Sequence, residues 1–238
     1  MLESGGNGLV AFRMLTSILQ RHTEIGGELG YFGLGAWWLS TFSAGQRRSM
    51  EAMFEGPDLP KRARPLTRDR GLLPAQSAAE LLVLLADRLC DQPQDRPVAC
   101  LVLAKAEERA IAENDVLGLH FAYHQMIRLH LRWKDHFADA ADLAFAACHK
   151  QIRISTAAAQ AFRSRAAGKP LPIHLGYQHA ATILEQQDVC ARAIEICKQA
   201  QEEGWSGNWE WRIVRLARRL HERDGTLRII SSSGMGPV

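Results

Sequence analysis

Apolar residues along this chain recur mostly at three- and four-residue intervals, the spacing that lines one side of an α-helix. Residues 9–22 place Val10, Met14, Leu15 and Ile18 on one side and predict a first helix. Gly26, Gly27, Gly30, Gly33 and Gly35 then interrupt regular helix. Ser43 and Gln46 have capping-box spacing, and Met50, Met53 and Phe54 give the next helix an apolar side until Gly56-Pro57 ends it. A second box, Ser77 with Glu80, opens a helix that carries Leu81, Leu85 and Leu89 on one face. Asp95 caps a helix with Pro97 in its first turn, running to Glu113. Asn114-Asp115 is a break and a cap before a helix over 116–133. Further helices are predicted over 136–152, from Ser155 or Thr156 to Ala167, over both halves of 171–205, and over 208–223.

Helix formers crowd everything after Ser77 and β-branched residues are sparse there, so the class is all-α. About nine or ten helices with mostly short connections predict antiparallel neighbours in an α-hairpin array, either an α-solenoid or an irregular bundle. Four segments follow: a helical, Gly-rich N-terminal segment (1–56), a linker or long loop (57–76), a helical domain (77–224) and a flexible tail (225–238). The linker assignment rests on Pro57, Pro60, Pro65 and Pro74 interleaved with Lys61, Arg62, Arg64, Arg68 and Arg70.

Residues 171–205 read LPIHLGYQHAATILEQQDVCARAIEICKQAQEEGW. Tyr177, Ala180, Ala181 and Leu184 form the buried stripe of a first helix, and Ala193, Cys197 and Ala200, with Ile194 beside them, that of a second. Small residues at Ala181 and Ala193 let the two backbones approach closely. The segment resembles one tetratricopeptide (TPR) repeat. Asp188 replaces that family's turn glycine, Cys197 its second-helix aromatic and Trp205 its closing proline. Residues 135–152 resemble the second half of another unit, but Ala140 precedes Ala193 by 53 residues, not the ~34 of tandem repeats. The helix from Ser155 accounts for the surplus. The resemblance therefore implies a degenerate TPR-like array, and with it a module that binds protein or peptide. The first helices of the hairpins would build the binding surface, with His124, Arg128, Arg132, Gln178 and His179 as contacts.

Composition narrows this little. The chain has 47% hydrophobic and 23% charged residues, ordinary for a globular protein. A formal charge of +3 is mildly basic, short of a dedicated nucleic-acid binder. The alternative partner is nucleic acid, held by Arg212, Arg215, Arg219 and Arg223 along the last helix; the competing assignment is a solvated face paired with Glu210 and Glu222. Cys90, Cys100, Cys148, Cys190 and Cys197 are scattered and odd in number, which predicts reduced thiols and a cytoplasmic setting. No run of 18 apolar residues occurs, and residues 9–19, interrupted by Arg13, do not read as a signal peptide.

Chemistry-bearing motifs are absent. His120 and His124 have metal-chelating spacing, yet HFAYH lacks the glutamate of HExxH. Cys148 and His149 are neighbours that point apart on a helix. No GK[ST] follows the Gly-rich segment, and there is no nucleophile elbow or paired-carboxylate motif. No cofactor or metal is expected, and a non-enzymatic role is. A homo-oligomer is compatible with the pattern. Trp37, Trp38, Leu39 and Phe42 form either an exposed aromatic patch or a hydrophobic plug, the plug being the expectation.

Overall fold

A computed structural model describes residues 25–55 and 59–233, with side chains to Glu222. The helix expected over 9–22 lies outside the described residues, as does the tail beyond Ser233. Eleven α-helices and one two-stranded sheet are present among them, so the all-α class holds. None of the described helices is long and apolar enough to cross a membrane. The chain divides into two units at Leu81/Leu82.

The N-terminal unit holds α1 (Gly27–Tyr31), α2 (Gly35–Thr41) and α3 (Ala44–Ala52). The glycines do interrupt regular helix, and two short helices, α1 and α2, form among them. Gly27 has φ 56°, and a Cβ there would meet Pro65 O at 2.7 Å. That closeness lets the first α1 amides bond to the loop beyond α3: Glu28 N–H to Pro65 O and Leu29 N–H to Leu66 O, both 2.9 Å. Residues 59–76 are irregular, as expected of a long loop, but they pack within this unit, with Leu66 fully buried. Trp38 and Phe42 are buried with Leu29, Leu34 and Met50, while Trp37 is half-buried and Leu39 exposed. The capping box of α3 forms both ways, Gln46 N–H to Ser43 Oγ (3.3 Å) and Ser43 N–H to Gln46 Oε1 (2.9 Å).

Helix α4 (Ala78–Leu89) spans the division. Ser77 Oγ accepts the Glu80 N–H (3.2 Å), while the Glu80 carboxylate reaches back to the Gln76 N–H (2.7 Å). In the second unit α5 (Arg96–Ala112), α6 (Val116–Arg132) and α7 (Ala140–Arg153) follow. Asp115 caps α6 through the Gly118 N–H (2.8 Å), whereas Asp95 makes no side-chain cap to α5. Helix α7 starts later than expected because turns at Trp133 take the intervening amides, with His136 N–H bonded to Trp133 O (3.0 Å).

Then come α8 (Ser155–Arg165), β1 (Leu171–Ile173), α9 (Leu175–Gln186), α10 (Cys190–Glu202), β2 (Trp205–Ser206) and α11 (Trp209–Ser233). Within the second unit α5 packs on α6, α6 on α7, α9 on α10 and α10 on α11, while α8 steps aside onto α6, so that α7 meets α9 directly. This displacement is where the surplus residues between the two hairpins go. The α9–α10 hairpin turns at Asp188 with φ 59°, a left-handed conformation that aspartate tolerates. Tyr177, Ala180, Ala181, Leu184, Ala193, Cys197 and Ala200 are buried as expected, Ile194 is half-buried beside them, and Ile196 joins the core. The parallel pair β1–β2, Leu171 opposite Trp205, was not expected; it ties together the two ends of the hairpin. Helix α11 continues to Ser233, past the expected end at Arg223, and takes in much of the segment expected as tail.

Glu203 fastens the displaced α8 to the end of α10. Its carboxylate accepts from Ser155 Oγ and Thr156 Oγ1 (both 3.0 Å) and from Trp205 Nε1 (2.9 Å). Its carbonyl accepts from Arg163 (2.5 Å). Glu203→Ala strands the indole N–H of Trp205, which is 2% exposed. The variant should lower the urea midpoint by an amount worth about 1–3 kcal/mol, with the slope unchanged.

Candidate functional site

Helix α9 is buried along Gly176, Tyr177, Ala180, Ala181 and Leu184. The 3.6-residue period then puts Gln178, Thr182 and Glu185 along one outer edge, and His179, Ile183 and Gln186 along the other. A cleft opens against each edge. The first, about 640 Å³, lies between Gln178, Thr182 and Glu185 of α9 and Trp211, Arg212 and Arg215 of α11, with Ile173 and Asn208 at its end. The second, about 440 Å³, lies between His179, Thr182, Ile183 and Gln186 of α9 and Leu131, Ala141 and Phe145. Thr182 lines both.

The first cleft has its charges matched. Arg212 donates to Gln178 O (3.2 Å), Thr182 Oγ1 (2.7 Å) and Glu185 (3.3 Å). Arg215 donates to both carboxylate oxygens of Glu185, at 2.7 Å for Oε2. The Arg215 hydrogen bond holds the Glu185 carboxyl below the usual carboxylate range, against the opposing effect of burial. Arg219 pairs with Asp188 at 3.2 Å. The arginine stripe is therefore paired, but across to α9 and its turn rather than with Glu210; Glu222 binds Arg218 instead (2.9 Å). The side chain of Arg223 lies outside the described residues. Trp211 stays 66% exposed on the cleft rim, with the Arg215 guanidinium 5.0 Å from its ring centroid.

The expected contact residues divide. Gln178 and His179 lie on the two clefts. Arg128 and Arg132 line neither; they pair with Asp87 (2.8 Å) and Asp91 (3.1 Å). His124 is half-buried, its pKa pushed down to about 4 by burial, then by Arg128 and His179. Thr182, Glu185 and Trp211 line the clefts without being among the expected contacts. The signal for the first two was their helical spacing from Gln178.

Behind α9 sits a polar and aromatic node. The side chain of Gln151, on α7, donates to His120 O on α6 (3.1 Å) and accepts the Gly176 N–H of α9 (2.7 Å). His174 Nδ1 accepts the Tyr177 N–H (3.2 Å) and so caps α9. Trp205 stacks parallel to the His120 ring at 5.5 Å and meets His174 edge-on at 4.6 Å. Burial pushes both histidines down to about 3, so both rings are neutral. Among the described residues His120 Nδ1 and His174 Nε2 have no hydrogen-bond partner. Among the described residues no group of three or more His, Cys, Asp or Glu is arranged to hold a metal ion. Burial raises the Cys148 thiol to about 12, which removes it as a thiolate nucleophile near neutral pH.

No family model, curated protein or solved structure matches this chain.

A Cβ on Gly176 would meet Cys148 O and Gln151 Oε1, both at 2.9 Å. Gly176→Ala should therefore destabilise the protein by about 1–3 kcal/mol, although alanine is the better helix former by about 1 kcal/mol; thermal unfolding decides the sign. The buried histidines set an acid limit. Their folded values lie below the ordinary 6.5, so their contribution is complete above that pH and drains as pH falls toward 3. Between pH 7 and 5, His120 and His174 should each remove about 2 kcal/mol, read as a falling denaturant midpoint.

Proposed function

We propose that this chain is a non-enzymatic, TPR-like interaction module that holds an extended segment of another protein along the outer face of α9. One observation carries the reading: two clefts flank a single helix, share Thr182, and have both apolar and polar walls. Ile173, Trp211 and Ile183 offer apolar contacts, while Gln178, Asn208 and Gln186 offer hydrogen bonds. An exposed tryptophan on the rim of a cleft is a common anchor for a partner side chain. A cytoplasmic setting fits the five free cysteines. Nucleic-acid binding through the α11 arginines is the weaker reading, because Arg212, Arg215 and Arg219 already face carboxylates.

Affinity capture from the native host, followed by mass spectrometry, tests the reading when run beside Trp211→Ala. At 66% exposure this side chain contributes little to the fold, so thermal stability should stay within about 0.5 kcal/mol of the parent. A partner retained by the parent chain and bound at least about tenfold more weakly by the variant is expected. Equal recovery by both, recovery of nothing, or a mobility shift with nucleic acid alone contradicts it.

A further inference from the structure

The loop over residues 59–72 gathers cations that the groove on α9 does not use. It forms a cleft of about 400 Å³ lined by Lys61, Arg62, Arg68 and Arg70, with Asp69 as the one acid. All four cationic residues are exposed. Among the described residues none of the four pairs with a carboxylate.

The nearby acids hold the loop backbone instead. Asp69 Oδ2 accepts the Arg64 N–H (2.7 Å). Glu28 accepts the Gly71 N–H (2.6 Å). Glu51 accepts from the Leu66 N–H (3.2 Å) and the Thr67 hydroxyl (3.1 Å). Acids of the loop and of the neighbouring helices therefore fix its backbone, while Lys61, Arg62, Arg68 and Arg70 pair with no carboxylate among the described residues. Arg62 holds a left-handed backbone, φ 68°, a conformation that long side chains adopt only where the surroundings enforce it. Arg70 lies over the Tyr31 ring, 3.3 Å from its centroid, which restrains its direction.

Arginine forks match phosphate oxygens bidentately, and a preorganised set loses little entropy on binding. We propose that this loop is a site for a pyrophosphate-sized, multiply charged phosphate anion. The compact volume favours two adjacent phosphoryl groups over an extended strand. Single-strand binders also offer aromatic faces for bases to stack on, and here the Tyr31 face is covered by Arg70.

Calorimetric titration of the full chain with inorganic pyrophosphate, in chelator-containing buffer, tests the site. One-to-one binding should weaken by about tenfold or more in Arg62→Gln/Arg68→Gln. It should persist in Arg192→Gln/Arg218→Gln, which loses the same charge from exposed positions of the second unit. Circular dichroism and thermal unfolding establish that each variant is folded. No binding by the folded parent at millimolar pyrophosphate overturns the proposal. So does equal loss in both double variants, or binding of adenosine diphosphate where pyrophosphate does not bind.

Discussion

One buried amide sets the arrangement of the second unit. Gln151 is fully buried, and its two ends are used on two different helices, the His120 carbonyl of α6 and the first-turn N–H of Gly176 in α9. An unsatisfied buried polar group costs about 1–3 kcal/mol, so α6, α7 and α9 can meet only in the register that satisfies both ends. That register demands a residue without a side chain at 176, because the α9 backbone passes within contact distance of Cys148 O. Beyond it pack His120 and the Trp205 indole, parallel to each other, with His174 edge-on to both.

The rotation of α9 follows from the same constraint. With Gly176 and Tyr177 turned inward, Gln178, Thr182 and Glu185 must face the next helical layer, and Glu185 becomes the acceptor for Arg212 and Arg215. Helix α11 is thus docked by an apolar stripe centred on Trp209 and Leu216, and oriented by ion pairs. Arg212, Arg215 and Arg219 serve the interface. Two clefts remain beside α9, with walls of mixed polarity. A cluster of cations that pair with no carboxylate among the described residues lies in the N-terminal unit, in the loop over residues 59–72.

Local features were legible in the sequence. The stripes Tyr177–Ala180–Ala181–Leu184 and Ala193–Cys197–Ala200 are buried as their spacing predicts, and Ser43 with Gln46 and Asp115 cap their helices. What escaped were choices made between distant residues. The helical period places Arg215 on an outer face but says nothing of Glu185, 30 positions away, where the guanidinium goes. The displacement of α8 depends on Glu203 finding Ser155 across 48 positions. The strands β1 and β2 are three and two residues long, too short to carry an alternating pattern. Proline and charge in residues 57–76 read as a linker or long loop, although Leu66 and the Glu28 and Glu51 carboxylates anchor the part from residue 59 onward.

The claim at the centre is that buried side chains, not intrahelical bonds, satisfy the first amides of α9. First-turn amides have no intrahelical acceptor and ordinarily exchange with solvent quickly. Residue-resolved hydrogen exchange of the free protein near neutral pH tests this directly. Gly176 and Tyr177, bonded to Gln151 Oε1 and His174 Nδ1, should be as protected as the interior amides of α9. Exchange of these two at the fast rate of the first amides of α11 would contradict the account.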